Sequence, residues 1–480
     1  MFNDRSGDFF NGYDVKMKHF WKIIVKNSRS HQIKIGGYSM SKRLTTWLLV
    51  ILLASIVLTA CSSTPKQTVQ YEGDPQMQAT ITVMYSGGLN FFNKDYGDLF
   101  RAKYPNIEVK VIGAWRDVEK VREEQKPDVL LLSYEDYVKL TGEGKLYDLN
   151  NMITEDAFNL EGVNQDIIDF LRQSGGGKLY GLPPHFDNQA LFYNKDLFDK
   201  YSIPYPQDGM TWNEVFQLAK RFPIEDGVSG FTTDHLSSLR YKMETSQGLR
   251  SVNRKEMRVT VNTESYKKLF ETLVDAHRSS TLEIKDYGEE VYDSFITGKS
   301  AMTVDYYYYL NNNIYWAKTE RGDDFHLNWD VATAPVGESN SEATPYFIFG
   351  NIYAVNADTL EAQAAWELVK FINSEEVARM KSRTTTNSIP TRTDYIYNPE
   401  GKRMEIFYKN LNMDWALREN NPKTNIPDNY YVILGAIMDS EFMAASRGDK
   451  SIDEALQSIQ ERGQEELDKQ LVEKSKKEDQ

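Results

Sequence analysis

The chain has only one cysteine, Cys61, among its 480 residues, so no disulfide can form within it. Its six histidines are scattered and have no cysteine cluster beside them, which argues against a structural zinc site or another metal centre. Basic residues are outnumbered by acidic ones, since the chain has 56 Lys and Arg and 70 Asp and Glu. A nucleic-acid-binding protein should show a basic stripe, so we expect no nucleic acid partner. No motif predicts a cofactor.

Cys61 ends a segment with the features of a secretory signal. Lys42 and Arg43 precede an uncharged run, residues 44–60, with an apolar centre from Trp47 to Leu58. A basic start, an apolar centre and small residues at a cleavage point are typical of such signals. A permanent membrane anchor is the weaker alternative, because this centre is shorter than the ~20 residues that span a bilayer comfortably.

The four residues that end this segment, Leu-Thr-Ala-Cys61, are similar to the lipobox of bacterial lipoproteins. That resemblance implies that Cys61 is diacylated and becomes the first residue of a mature protein tethered outside the cytoplasmic membrane. An ordinary buried thiol is the alternative. We therefore interpret residues 40–60 as a lipoprotein signal peptide and residues 61–78 as a flexible polar tether.

The residues before the signal show no convincing core pattern. Residues 35–40 read Ile-Gly-Gly-Tyr-Ser-Met, and two glycine codons can spell a ribosome-binding sequence just before an ATG. We hypothesise that translation starts at Met40 and that residues 1–39 are an upstream extension. Without residues 1–60, the chain keeps 47 basic and 67 acidic side chains. The roughly 400 residues of the mature chain exceed one ordinary core, which predicts two lobes.

Apolar strands alternate with helix-length segments after the tether. Residues 79–85, 107–111 and 128–132 read as three buried strands, which predicts an α/β fold with a sheet covered on both faces. Pro183 and Pro184 impose extended backbone, as expected where a chain passes between lobes. Residues 211–214 and 451–454 fit the capping box that starts a helix. Two apolar faces have helical spacing: Tyr266, Leu269, Phe270, Leu273, Val274; and Ala362, Ala365, Trp366, Val369, Ile372.

Several segments together resemble family 1 of the extracellular solute-binding proteins of ABC importers. The strongest are Tyr-Asn-Lys-Asp-Leu-Phe at 193–198 and Phe-x-x-Gly-Lys-x-Ala-Met at 295–302. Weaker matches occur in the same order along the chain, at residues 127–132, 144–149, 177–183, 371–374 and 389–390.

This resemblance implies a two-lobed, type II periplasmic-binding-protein-like fold that closes on a ligand in the cleft between its lobes. We expect lobe 1 at residues 79–184, completed by about 333–388. We expect lobe 2 at residues 185–332, completed by about 389–480. The resemblance also implies an ABC permease as partner, a monomeric state and no enzymatic activity.

Candidate ligand-binding residues come first from the ends of the predicted strands. Ligands of open α/β lobes sit beyond the carboxyl ends of strands, which selects Ser86 and Gly87, then Glu135 and Asp136. Trp115 follows the second strand, where it could stack on a sugar or cover the core. Glu135 and Asp136 could instead be a solvated helix start.

The family resemblance adds further candidates. Glu135, Asp187 and Tyr308 fall where maltose-binding protein has a hydroxyl-binding aspartate, a ligand-binding glutamate and a stacking tryptophan. Tyr306 belongs to the same tyrosine run, and Tyr430 lies near a region that supplies another aromatic in relatives. Asp187 could merely cap the next segment. Because Leu132 stands where that relative has tryptophan, malto-oligosaccharide is not implied.

These features predict a lipid-anchored protein on the extracellular face of the cell membrane that captures a carbohydrate, such as an oligosaccharide, for a permease. Three alternatives stay open: an importer of peptides or other polar solutes, a ligand-presenting sensor, and a tethered glycosidase. The glycosidase would need a carboxylate pair such as Glu135 and Asp187, and no nucleophile motif accompanies them.

The start-site hypothesis predicts the peptides of the unprocessed precursor. Mass spectrometry of the precursor should find a chain beginning at Met40, with peptides of the signal segment present. Any peptide from residues 1–39 would contradict the hypothesis.

Overall fold

The computed structural model describes residues 74, 76–114, 117–285, 292–337, 346–383, 387–409, 411, 426–427 and 429–478. The predicted signal segment, the lipidation site Cys61 and Trp115 lie outside these residues. None of the helices that are described is long and apolar enough to cross a membrane.

The strands carry labels in chain order. They are β1 Ala79–Met84, β2 Ile107–Ile112, β3 Val129–Leu132, β4 Gly181–Leu182, β5 His185–Asp187, β6 Gln189–Asn194, β7 Phe231–Thr233, β8 Val252–Asn253, β9 Arg258–Val259, β10 Leu282–Ile284, β11 Met302–Tyr306, β12 Trp329–Thr333, β13 Ile348–Phe349, β14 Ile352–Val355 and β15 Ile389–Pro390.

The α-helices are labelled in the same way. They are α1 Gly88–Phe92, α2 Asp98–Lys103, α3 Val118–Gln125, α4 Tyr134–Gly142, α5 Asn150–Glu155, α6 Gln165–Ser174, α7 Lys195–Lys200, α8 Trp212–Ala219, α9 Leu236–Ser246, α10 Glu264–Arg278, α11 Trp316–Arg321, α12 Ala362–Ile372, α13 Glu375–Lys381, α14 Tyr430–Arg447 and α15 Ile452–Glu478. Short π-helices lie at Asn93–Gly97, directly before α2, and at Leu310–Tyr315, directly before α11. Short 3₁₀-helices lie at Ile224–Asp226, Gly322–Asp324, Thr393–Tyr395 and Met404–Phe407.

The first sheet has the strand order β2-β1-β3-β14-β4. Strands β1, β2 and β3 run parallel, while β14 is antiparallel to both of its neighbours. All four residues of β3 are buried, because helices cover both faces of the sheet. The three strands predicted from apolar runs are therefore confirmed.

A second sheet, β11-β6-β12, is antiparallel, and its central strand β6 is buried along its whole length. Side chains of β6 alternate between two hydrophobic cores. Ala190 and Phe192 pack in the core of the first sheet, while Leu191 and Tyr193 pack in a second core. Since successive strand residues point to opposite faces, one strand can serve both cores. Helices α8, α9, α10 and α14 complete the second core.

A small crossing sheet connects the two parts of the chain. Strand β4 belongs to the first sheet, and after Pro183-Pro184 the chain enters β5, which pairs with β13 and β15. Phe186 lies in the middle, opposite Phe349 on one side and Ile389 on the other. The predicted α/β fold with two lobes joined by crossing strands is confirmed.

Two local predictions about helices also hold. Thr211 and Glu214 form a capping box at the start of α8, with bonds of 2.8 and 3.3 Å. Ser451 and Glu454 form the same reciprocal pair before α15. Both predicted apolar faces lie on helices, on α10 and on α12, and only Ala362 at the first position of α12 is less than fully buried.

The first core contains a buried charge network on α12. Lys370 Nζ donates to Asp156 Oδ2 at 2.8 Å and to Glu367 Oε1 at 2.9 Å. The indole of Trp366 donates to the same Asp156 oxygen, and the Tyr104 hydroxyl donates to Glu367. One cation therefore compensates two buried carboxylates, which are costly to leave unpaired in an apolar interior.

Replacing Lys370 by methionine should destabilise the protein strongly, because two buried carboxylates lose their cation. We expect the free energy of unfolding, measured in urea, to fall by about 3–5 kcal/mol. Lys469→Met is the matched control, since Lys469 is 61% exposed and pairs with Glu466 on the surface of α15. Its loss should cost less than about 1 kcal/mol. Equal losses in the two variants would contradict the prediction.

Candidate binding cleft

Asp187 ends the crossing strand β5 and reaches the end of β11. Its Oδ1 accepts hydrogen bonds from the backbone N–H of Asn188 at 2.9 Å and of Tyr307 at 3.1 Å. Burial raises the pKa of this carboxyl to about 7, although the two N–H donors oppose the change. Asp187 thus connects a crossing strand to the second sheet through its Oδ1 atom.

The tyrosine run starts at the last residue of β11, and Asp187 lies near enough to Tyr306 to raise the pKa of its phenol. Tyr307 and Tyr309 are buried in the core, whereas Tyr306 and Tyr308 are partly exposed and stack on each other. Their ring centroids are 5.9 Å apart and their planes differ by 21°. Burial raises the pKa of Tyr306 to about 12, and it raises the pKa of Tyr308 as well, so both hydroxyls stay protonated.

A second acidic residue, Asp305, directly precedes the stacked tyrosines. Asp305 is the last residue but one of β11, and burial raises its pKa while the charge of Lys242 opposes the rise. Lys242 itself donates to the carbonyl of Val304 at 2.5 Å. Sequence reasoning did not select Asp305, although it directly precedes the tyrosine run.

The start of α4 carries two further candidate residues, Glu135 and Asp136. Ser133 caps the helix by accepting from the N–H of Asp136 at 3.1 Å, and its hydroxyl donates to the Asp136 carboxylate at 2.7 Å. Asp136 is therefore engaged in capping. Glu135 is exposed; burial of part of its carboxyl and the charge of Asp136 raise its pKa, and Arg254 lowers it.

Arg254 lies in the turn between β8 and β9, whose valines belong to the second core. Glu135 belongs to a helix of the first core, because Tyr134 and Tyr137 beside it pack there. Two opposite charges therefore face each other from the two cores. The sequence predicted Glu135 and missed Arg254, since an isolated arginine in a turn carries no motif.

Ser86 and Gly87 lie exposed between β1 and α1, at the carboxyl end of the first sheet. A Cβ atom at Gly87 would approach the side chain of Phe91 to 2.5 Å, so glycine is needed there for close packing. Leu89 and Phe91 on α1 are 51% and 60% exposed, and sequence reasoning missed this apolar pair.

Tyr430 is not brought to the cleft. Its side chain is fully buried in the second core, and its hydroxyl donates to the carbonyl of Gly463 on α15 at 3.0 Å. The next residue, Tyr431, is 41% exposed. One residue along a helix turns the side chain by about 100°, so of this adjacent pair only Tyr431 reaches the surface.

A cavity of about 770 Å³ opens between α9 and α14. Its lining includes Tyr241, Tyr431 and Arg254. Tyr241 raises the pKa of the Tyr306 phenol and Arg254 lowers the pKa of the Glu135 carboxyl, but Tyr306 and Glu135 are not among the residues that line the cavity. Its volume falls within the range of small-molecule sites. Among the described residues, no cluster of His, Cys, Asp and Glu could hold a metal ion.

Comparisons with known proteins agree with this architecture. A family model described as bacterial extracellular solute-binding protein matches residues 95–408. An extracellular solute-binding protein of family 1 from Alicyclobacillus acidocaldarius superposes with a TM-score of 0.62 at 15% identity, covering 82% of this chain and 100% of that one.

Two further solved structures are similar. The sugar-binding protein MalE from Xanthomonas citri gives a TM-score of 0.55 at 16% identity, over 82% of this chain and 98% of that chain. An ABC substrate-binding protein from Listeria monocytogenes in complex with cycloalternan gives a TM-score of 0.51 at 20% identity, over 82% of this chain and 99% of that chain. Identities this low show a shared fold, and the resemblance predicted from the sequence is confirmed.

The raised pKa of Asp187 predicts a pH-dependent stability. The carboxyl titrates near 3.8 when unfolded and near 7 when folded, so folding takes up a proton between these values. Stability from this group is therefore present at low pH and is lost as the pH rises through this window. Asp187→Asn keeps an acceptor for both N–H groups and removes the titration.

We expect the free energy of unfolding of Asp187→Asn, relative to wild type, to rise between pH 4 and pH 7 by on the order of 2–4 kcal/mol. Urea unfolding at several pH values measures this difference. The control is Asp323→Asn, which neutralises an exposed carboxylate and should follow the wild-type profile. A constant difference between wild type and Asp187→Asn would show that Asp187 ionises normally.

Proposed function

We propose, since this chain belongs to the bacterial extracellular solute-binding protein family, that it captures a carbohydrate between its lobes and delivers it to the permease of an ABC importer. The observation that carries the proposal is the stacked Tyr306–Tyr308 pair, together with the Asp187 carboxylate, whose charge acts on Tyr306. Aromatic faces suit the apolar C–H patches of sugar rings, and a carboxylate fixed by backbone N–H groups suits their hydroxyls.

Ligand capture on this proposal requires no covalent chemistry. A ligand stabilises a closed arrangement only through contacts that are absent when the lobes are apart. Asp187 would accept from a sugar hydroxyl, Tyr306 and Tyr308 would cover a ring, and Glu135 would act from the start of α4. Ser86 and Gly87 follow β1 at the carboxyl end of the first sheet, as Glu135 follows β3, and they would contact the ligand there. Trp115 stays a candidate that rests on the sequence. Tyr430 is left out because it is buried.

Carbohydrate is the favoured cargo for two reasons. The cleft combines exposed tyrosine rings with fixed polar groups. Two proteins with a similar fold are a sugar-binding protein and a complex with cycloalternan. The cavity of about 770 Å³ between α9 and α14 also has room for a small-molecule ligand.

The same proposal includes a lipid on Cys61 and a monomer on the extracellular face of the cell membrane. A tether of residues 61–78 would keep the protein near its permease and raise its local concentration there. Lobe 1 would comprise residues 79–184 and about 333–388. Lobe 2 would comprise residues 185–332 and about 389–480. Mass spectrometry of the mature protein tests the anchor: its first residue should be a diacylated Cys61.

One alternative keeps the cleft and changes the cargo. The opposite charges of Glu135 and Arg254 would suit the charged ends of a peptide. A peptide importer is therefore the second candidate.

A thermal-shift screen with sugars, oligosaccharides and peptides tests the proposal. A ligand at 100 times its dissociation constant should add about 2.7 kcal/mol of stability. For a carbohydrate that binds, Tyr308→Ala should weaken affinity at least tenfold in calorimetry, or about 1.4 kcal/mol.

The control for this variant is Tyr147→Ala, a tyrosine that is 37% exposed in the segment before α5. It should bind like wild type. Stabilisation by peptides and by no carbohydrate would contradict the proposed cargo and favour the second candidate.

A further inference from the structure

One of the four tryptophans that the structure describes lies on the surface. Trp212, Trp329 and Trp366 are 3%, 1% and 0% exposed, whereas Trp316 is 42% exposed. Tryptophan is highly buried on average, so an indole left in water calls for a reason. The Tyr292 ring packs beside this indole, with centroids 5.2 Å apart and planes at 44°, and Tyr292 itself packs against the first core. The indole is therefore held in place while part of it faces solvent.

Trp316 belongs to a helical segment with one buried and one exposed face. The segment begins as the π-helix that precedes α11 and continues as α11 itself. Ile314 and Ala317 are fully buried in the first core. Asn312, Trp316 and Thr319 are exposed, and their spacing of four and three residues places them on one face of the helix. Short π-helical segments are frequent at functional sites.

The exposed face borders an open cavity of about 590 Å³. The side chains that line it are Asn311, Asn312, Tyr315, Trp316 and Thr319. Asn311 Nδ2 donates to Asn387 Oδ1 at 2.6 Å, and the Thr319 hydroxyl donates to the carbonyl of Tyr315 at 2.8 Å. These bonds fix two of the polar side chains. The Thr319 oxygen keeps lone pairs that can accept from a ligand.

The chemistry of the lining favours a neutral, hydroxylated ligand. None of the lining side chains carries a charge, although 26% of the residues in the chain are charged. Lys318, a neighbouring cation on the same helix, is paired with Glu400 at 2.7 Å. An indole face suits the apolar C–H patch of a sugar ring, and amide and hydroxyl groups both donate to and accept from sugar hydroxyls. An anion or a charged peptide end would meet no opposite charge in this lining.

The cavity is too small for a stable protein interface. Such interfaces take about 20–30 residues from each partner, whereas the side chains that line this cavity come from one short helical segment. Lys318 and Glu320 on the same segment are exposed and charged. Charged residues are depleted at the centre of protein interfaces.

We propose that Trp316, Asn312 and Thr319 form a surface site for a neutral glycan, separate from the cleft. The indole would stack on one sugar ring, and the amide and hydroxyl would bind the hydroxyls beside it. None of the residues that line this cavity is a cleft candidate or lines the cavity between α9 and α14. The inference goes beyond the proposed function, because it does not depend on which solute the cleft takes. An open site also suits a chain that continues in both directions, such as a polysaccharide.

Affinity electrophoresis of the full-length protein tests the site. The protein runs in nondenaturing gels that contain amylopectin, glucomannan, xyloglucan or polygalacturonate, and its mobility is compared with that in a gel without polysaccharide. At least one of the neutral polymers should retard wild type, whereas the anionic polygalacturonate should not. Trp316→Ala should weaken the interaction by roughly tenfold, because the stacking face is lost. Trp316→Phe keeps a smaller ring and should lie between the two.

Three control variants should be retarded like wild type. Glu320→Ala removes an exposed charged side chain from the same helix. Tyr147→Ala removes a tyrosine that is 37% exposed elsewhere on the surface. Tyr308→Ala alters the cleft and leaves the surface site intact, so it separates the two sites.

Thermal melting of the variants checks the fold. Because Trp316 is partly exposed, Trp316→Ala should melt within a few degrees of wild type. If this variant fails to fold, Asn312→Ala, which alters an exposed amide, should still weaken the retardation by roughly threefold.

Each outcome decides for or against the surface site. Retardation that Trp316→Ala loses and Tyr308→Ala keeps would support it. Retardation that Tyr308→Ala loses and Trp316→Ala keeps would overturn the surface site and leave the proposed function of the cleft standing. Mobility unchanged by every neutral polymer would overturn the site, whatever solute the cleft binds. Retardation by polygalacturonate alone would overturn the assignment to a neutral glycan.

Discussion

The narrow connection between the two hydrophobic cores is the constraint on which the rest of the structure depends. The short strands β5, β13 and β15 pair there, and Phe186 lies between Phe349 and Ile389 at their centre. Because β5 ends at Asp187, the crossing places a carboxylate directly at the edge of the second sheet. Strand β6 then serves both cores through the alternation of its side chains. The cleft is a consequence of this route.

Electrostatics in the cleft follow from burial more than from net charge. Asp187 and Asp305 have raised pKa values because they lie away from water. Arg240 is buried between Glu244, which accepts from its Nη1, and Asp439, whose Oδ1 lies 3.7 Å from its Nε.

Much of the fold could be predicted because its signals are local. The wholly apolar β3, the helical apolar face of α10 and the capping box at Thr211 each depend on residues close in sequence. Asp187 could be selected as a candidate because it falls where maltose-binding protein has a ligand-binding glutamate. Tyr430 and Tyr431 could not be told apart, since their exposure depends on the rotation of α14 against the second core.

The sequence by itself determined the family, the α/β class and most of the core, whereas the signal segment that ends at Cys61 stays a prediction. These properties rest on periodicity and on motif order, which a linear chain displays. Only the tertiary structure decided that Arg240 on α9 meets Asp439 on α14, and that Arg254 lies near enough to Glu135 to lower its pKa. Such pairs join distant parts of the chain through packing, and charged residues far apart in sequence do not reveal which partner the folded chain brings to them.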